Sequence, residues 1–218
     1  MRGVLTRTVP AATLGRYLVE DGEQGAPLLV GFHGYGENAE KSLEHLGRVR
    51  GSSGFRLVAV QALHRFYNTK TGEVVGSWMT RLDREQAIAD NVAYVAGVVG
   101  ALERELAPAG LVYAGFSQGA AMAWRAAARI PPPCQGVLVL GGDLPPDVAG
   151  DPELALPPVL IGRGTRDEWY TEAKMSHDLE VLAARGARVE TVVFEGGHEW
   201  GGPFLCAAEA FLTRVSVA

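Results

Sequence analysis

LVYAGFSQGAAMAWRAAARI, residues 111–130, is the stretch from which the architecture of this chain can be read. LVYAGF (111–116) is apolar at nearly every position, which suits a strand covered on both faces. The alanine-rich run that follows favours a helix. Gly115-Phe116-Ser117-Gln118-Gly119 joins them and fits G-x-S-x-G. In a chain with 28 glycines that pattern alone is weak. The setting supplies the specificity, because a strand passing straight into a helix needs a tight turn with small neighbours. Gly115, Gly119 and Ala120 provide them, and Ser117 then projects from the C-terminal edge of a sheet, where open α/β folds place their ligands.

The same alternation continues on both sides. LLVGF (28–32), RLVAV (56–60), GVLVLG (136–141), PVLIG (158–162) and VETVVF (189–194) read as further strands. Helices are expected over roughly 37–50, 84–106, 117–129, 171–185 and 203–215. The second is the clearest, with Ile88, Val92, Val95, Val99, Leu102 and Leu106 three or four apart. Strand–helix alternation implies βαβ units and a mostly parallel sheet with helices on both faces. VLTRTV (4–9) and GRYLVE (15–20) flank a Pro-Ala-Ala-Thr stretch and suggest an antiparallel pair at the sheet edge. The expected sheet therefore has eight strands. The region 61–83 holds no clear element and is too short for a large lid.

Bulk properties narrow the function classes. A chain of 218 residues suits one domain, 1–218. The hydrophobic fraction of 47% marks a globular protein. A net charge of -5 with no basic run gives no footprint for nucleic acid or an anionic membrane. Cys134 and Cys206 lack CxxC spacing, so neither a disulfide framework nor a structural zinc site is expected. The start, MRGVLTRTVPAATLGRYLVEDG, lacks the apolar stretch of a signal peptide, and no segment approaches the ~20 apolar residues of a membrane helix. A cytoplasmic protein is the expectation.

Chemistry centres on Ser117. A serine hydroxyl needs a base, and histidine has the pKa for that work. Behind a serine in this setting the partners follow in the order acid, then histidine. Only His177 and His198 come after Ser117, and His177 falls inside an expected helix. His198, in EGGHEW after the last strand, is the candidate base. The acid is sought among Asp143, Asp151, Asp167 and Glu195. Asp167, after the next-to-last strand, is favoured over Asp143 at the end of the strand before. Acyl transfer also needs backbone N–H groups aimed at a developing oxyanion. Gln118 supplies one, and Tyr35, in the glycine-rich loop His33-Gly34-Tyr35-Gly36-Glu37, is the expected second.

HGYGE (33–37), SWMTRLD (77–83), GFSQGAAMA (115–123), LGGDLP (140–145) and GGHEW (196–200) together resemble the phospholipase/carboxylesterase family of α/β-hydrolases, which includes acyl-protein thioesterases. The resemblance spans about residues 28–212. It implies an α/β-hydrolase fold without a large lid, and a cofactor-free serine hydrolase acting on small-molecule carboxylic esters or thioesters. It places Ser117, Asp167 and His198 in the triad and the amides of Tyr35 and Gln118 in the oxyanion hole. Trp78 and Met79 fall where relatives line the acyl groove, and Trp169 is a candidate for the leaving-group pocket. The chain departs from the family pattern at Arg163-Gly164, where relatives often carry a histidine before the glycine, and at Glu168-Trp169-Tyr170 after the acid. An exposed groove would leave room for a homodimer. Against this stand a peptidase-type hydrolase, a non-catalytic ligand-binding protein on the same fold, and a lipid carrier; the last needs no reactive serine.

Overall fold

In the computed structural model, which describes residues 3–151 and 153–215, the expected strands other than VLTRTV assemble into one sheet. In chain order the elements are β1 (Arg16–Val19), β2 (Leu28–Phe32), α1 (Ala39–Gly47), β3 (Arg56–Gln61), β4 (His64–Tyr67), β5 (Val74–Ser77), α2 (Arg84–Leu106), β6 (Leu111–Phe116) and α3 (Gln118–Arg129). They continue with β7 (Gly136–Leu140), a single turn α4 (Pro146–Ala149), β8 (Val159–Gly164), α5 (Glu172–Ala184), β9 (Val189–Phe194) and α6 (Gly202–Val215). The sheet order is β1-β3-β2-β6-β7-β8-β9. Six strands run parallel, and β1 lies antiparallel on β3 with Arg16 opposite Gln61.

Alternate residues of each strand feed two apolar layers, as the period of two requires. Val30, Val58, Tyr113, Val139 and Ile161 face α2, α3 and α5 together with Val99, Trp124 and Leu182. Leu29, Leu57, Val112, Leu138 and Leu160 face α1 and α6 together with Leu46, Phe204 and Phe211. α2 is the predicted helix to the residue, and α1 is shorter than expected. Asn38 caps α1 by accepting from the Lys41 N–H at 2.9 Å, and a short 3₁₀ turn, Arg50–Gly54, follows it.

Two sequence expectations need correction. The main sheet has seven strands among the described residues, not eight. VLTRTV forms no strand, and Val4, Leu5 and Val9 are all exposed. β1 beside it is four residues long and half exposed, so a further strand there would have no apolar layer to cover. Within 61–83, β4 and β5 form a separate antiparallel hairpin. Asn68 closes its turn, accepting through its side chain from Lys70 and through its carbonyl from Gly72. Such short strands carry little periodicity, and their pairing depends on that turn. No large lid covers the C-terminal edge of the sheet among the described residues.

One buried charge ties the helical layer together. Arg125 on α3 is 1% exposed and grips Asp147 of α4 through Nε at 3.0 Å and Nη2 at 2.8 Å. Burial raises the Asp147 pKa, but the Arg125 guanidinium outweighs it and holds the carboxyl below its usual range. Removing the carboxylate leaves a cation with no counterion inside the protein. Asp147→Asn is therefore expected to cost about 2–3 kcal/mol, below the ~3–5 of a fully enclosed pair because Asp147 is about one-third solvent-exposed. Since the folded carboxyl titrates below the unfolded one, its contribution is fully present above about pH 4 and is lost as pH falls through the depressed folded value. Denaturant titrations at several pH values check both: the variant should lose stability near neutrality and show a shallower acid decline than the parent.

Candidate active site

At the end of β6 the backbone turns so sharply that Ser117 has φ 53° and ψ −120°. This is a strained conformation for a residue with a side chain. The glycines around it are obligatory. A Cβ on Gly115 would lie 2.3 Å from the Gly119 carbonyl oxygen, and one on Gly119 would lie 2.1 Å from that of Phe32. The first vacancy lets α3 start directly beneath its own strand, and the second lets it press against β2. The Ser117 N–H donates to the Leu140 carbonyl at 2.9 Å, so β7 braces the turn.

The loop after β2 is held at three of its N–H groups. Gly34 N–H donates to Glu37 Oε2 at 2.8 Å, Gly36 N–H to Gly76 of β5 at 3.0 Å, and Glu37 N–H back to the Gly34 carbonyl at 3.2 Å. Tyr35 N–H is left without an acceptor among the described residues, and so is Gln118 N–H at the start of α3. A backbone donor spared in so tight a network is available to a ligand oxygen. His33 supports the loop from inside the protein. Its Nε2 accepts from Ala62 N–H at 3.1 Å, which assigns the ring proton to Nδ1, donating to the Gly34 carbonyl at 2.7 Å. Burial depresses the His33 pKa and keeps that ring neutral. Burial works to raise the Glu37 pKa, but His45 and the Gly34 N–H overcome it and keep the carboxylate charged.

The loops after β8 and β9 meet backbone to backbone. A Cβ on Gly164 would sit 2.2 Å from the Gly197 carbonyl oxygen, and Arg166 N–H donates to the Gly196 carbonyl at 2.8 Å. This closeness delivers His198 to Asp167, with Nδ1 2.8 Å from Oδ2. The other carboxylate oxygen accepts from the N–H groups of Trp169 and Tyr170, both at 2.9 Å. Asp167 is thus buried, fully engaged and fixed in orientation. The carboxylate contact assigns the His198 proton to Nδ1 and leaves Nε2 as an acceptor. The ring leans on Phe116, the residue before Ser117, at a centroid distance of 4.7 Å. Gly141, with φ 64°, leaves it room, because a Cβ there would come within 2.9 Å of the imidazole. Ser117 and His198 are not joined by a hydrogen bond among the described residues.

The rival acids lie elsewhere. Asp143 is exposed and faces Lys174 at 3.4 Å, and Glu195 faces Arg166 at 3.5 Å in solvent. Asp151 bonds the N–H of Glu153 in its own loop. A cleft of about 700 Å³ opens over Ser117, lined by Tyr35, Met79, Arg81, Gln118, Asp143 and Trp169 among others. Met79 and Trp169 are among the residues that line it. Trp78 is not: it is fully buried, its Nε1 donates to the His33 carbonyl at 2.8 Å, and it braces the loop instead of touching the cleft. A larger cleft of about 860 Å³ beyond that loop is lined by charged side chains such as the Arg16–Glu40 pair and holds no candidate nucleophile.

Sequence reasoning missed the side chain of Gln118. Its Oε1 accepts from Trp78 N–H at 2.8 Å and its Nε2 donates to the Met79 carbonyl at 3.0 Å. One glutamine thereby ties the segment after β5 to the start of α3. No spacing rule connects residues so distant in the chain. Among the described residues no group of three or more His, Cys, Asp or Glu side chains is placed to hold a metal ion, and no helix is long and apolar enough to cross a membrane.

Glycine demand at the turn is directly testable. Gly119→Ala should cost about 3 kcal/mol or more, because backbone oxygens cannot swing away from the new methyl group. Gly97→Ala, on an exposed face of α2 with nothing nearby, should instead stabilise by about 0.5–1 kcal/mol. Chemical denaturation of both variants checks the contrast.

Solved structures share the architecture. Esterase PE8 superposes with a TM-score of 0.73 at 24% identity, covering 92% of this chain and 98% of its own. A Bacillus cereus carboxylesterase gives 0.72 at 17%, covering 92% and 94%. Acyl-protein thioesterase 2 of Zea mays gives 0.72 at 19%, covering 93% and 100%. At these identities the likeness establishes the α/β-hydrolase fold. No curated protein matches the chain. A model of the Phospholipase/Carboxylesterase family matches residues 16–216, nearly the whole sequence from β1 through α6, and the chain belongs to that family.

Proposed function

We propose that this protein is a serine hydrolase that cleaves carboxylic esters or thioesters through an acyl-enzyme intermediate. The observation that carries the reading is the Asp167–His198 hydrogen bond of 2.8 Å, beside a serine on a strained, glycine-flanked turn. Asp167 is fixed by two further N–H groups, so it holds the imidazole with Nε2 free to take a proton. Ser117 Oγ attacks the acyl carbon as His198 Nε2 removes its proton. The Ser117–His198 hydrogen bond is one that forms with substrate in place, as contacts of this kind tighten in the reacting complex.

The negative charge that develops on the carbonyl oxygen is met by the N–H groups of Tyr35 and Gln118, reinforced by the positive end of α3. His198 then returns the proton to the departing alcohol or thiol. Water, deprotonated by the same nitrogen, attacks the acyl-serine and releases the acid. Each proton in this scheme passes through His198, and Asp167 stays ionised throughout. Met79 and Trp169 border the room left for the two arms of the substrate, and among the described residues no large lid covers the entrance.

Incubation with a fluorophosphonate probe followed by peptide mass spectrometry should find the adduct on Ser117, and His198→Ala should abolish it. Folded protein that resists labelling would favour a ligand-binding role for the cleft. Ester turnover should vanish in Ser117→Ala. Asp167→Asn should lower kcat by on the order of 10⁴-fold, because the asparagine amide stabilises the wrong imidazole tautomer. A comparable loss in Asp143→Asn would move the acid to the preceding strand and overturn the assignment.

A further inference from the structure

The rim of the Ser117 cleft carries an excess of positive charge. Arg81, Arg84 and Lys174 line it, and the acid among its lining residues is Asp143. Asp143 is already engaged by Lys174 at 3.4 Å. Arg81 and Arg84 form neither a hydrogen bond nor an ion pair among the described residues, and both are exposed. Several other cations in the fold are paired, as in Arg16–Glu40, Arg125–Asp147 and Arg214–Glu190; what sets Arg81 and Arg84 apart is that they line the cleft that holds Ser117. A protein with a net charge of -5 thus lines the cleft over Ser117 with two exposed guanidinium groups that have no partner among the described residues.

The arginines are also held in place. Met79, two residues before Arg81, is fastened through its carbonyl to the Gln118 side chain at 3.0 Å and the Ser77 hydroxyl at 2.7 Å. Thr80 Oγ1 then donates to the Leu82 carbonyl at 2.9 Å and closes a turn. Asp83 takes φ 48° to bring the chain into α2, where Arg84 is the first residue. A non-glycine residue held in the left-handed region costs about 1 kcal/mol or more. Both guanidinium groups thus hang from backbone anchored to the residue after Ser117. Planar forks of this kind pair best with a carboxylate.

We infer that the cleft is selective for anionic esters or thioesters, with Arg81 and Arg84 binding a carboxylate carried by the substrate away from the bond that breaks. The inference rests on the proposed ester-hydrolase reading and names the substrate class of that site. An exposed, unmatched positive rim also draws anions from solution, an attraction that salt screens.

Two substrate pairs test it. 4-Nitrophenyl hydrogen glutarate against its methyl ester puts the charge on the acyl arm, and 4-acetoxybenzoate against its methyl ester puts it on the leaving arm. In at least one pair the carboxylate should be the better substrate by kcat/KM, and added salt should erode the preference. In Arg81→Gln/Arg84→Gln the anionic-to-neutral ratio should fall by about 10-fold, chiefly through KM, and Arg81→Glu/Arg84→Glu should invert it. The pair that responds identifies the arm carrying the charge. Turnover of all four esters with no anionic preference, or a ratio unmoved by the arginine variants, overturns this inference and leaves the hydrolase reading standing. No turnover of any of them, together with no fluorophosphonate labelling, overturns both.

Discussion

The close approach of α3 to β2 is the constraint on which the rest of the arrangement depends. With no side chain at Gly119, the first turn of α3 presses against the carbonyls of Phe32 and His33. That contact sets the distance between the start of the helix and the loop leaving β2. Tyr35 and Gln118, whose N–H groups have no acceptor among the described residues, line the same cleft as Ser117. The contact also forces Ser117 into positive φ, since the chain must reverse within one residue of the strand. The strain at the serine and the tight seat of α3 on β2 belong to one packing arrangement.

The same device recurs at the other end of the parallel sheet. Gly164 against Gly197 brings the loops after β8 and β9 together, and Gly141 makes room for the His198 ring. Three loops from different strands converge on Ser117 because glycines let backbone touch backbone where side chains would hold the loops apart. The surrounding polar groups then keep each loop from relaxing. His33, Trp78 and Glu37 hold the loop after β2, and Asp167 holds its own loop through the Trp169 and Tyr170 amides. Buried polar groups of this kind must be matched, and matching them leaves the site one geometry. Orientation comes from the fold, and the exposed rim is free to vary in charge.

Membership in the Phospholipase/Carboxylesterase family gives the scaffold, and chemistry on such scaffolds is argued from the site itself. Here the departures from the family pattern are informative about the surroundings of the site. Arg163, where relatives often carry a histidine, is buried and donates to the Gly164 carbonyl at 3.0 Å, so it supports the end of β8 and does not face the cleft. Trp169 is exposed at the rim, where it lines the same opening as Arg81.

Local pattern made the parallel strands and the long helices legible, because a strand buried on both faces and a helix with one apolar stripe each leave a periodic mark of their own. The candidate site could be nominated on similar marks, Ser117 from its glycines and His198 and Asp167 from their places after successive strands, and of these the structure brings Asp167 and His198 into contact. Other features carried no such mark. VLTRTV has the composition of a strand and forms none, since nothing apolar lies beneath it. The β4–β5 hairpin is too short to announce itself. Trp78 reads as a groove residue in a motif, yet its ring is spent on the His33 carbonyl. By itself the sequence determined which elements form, in what order, and which residue types stand at the strand ends. Only the tertiary structure decided that Asp167 and not Asp143 meets His198, that Gln118 ties down Met79, and that Arg81 and Arg84 line the cleft of Ser117. Those outcomes depend on distances between residues far apart in the chain, which packing sets and local pattern does not encode.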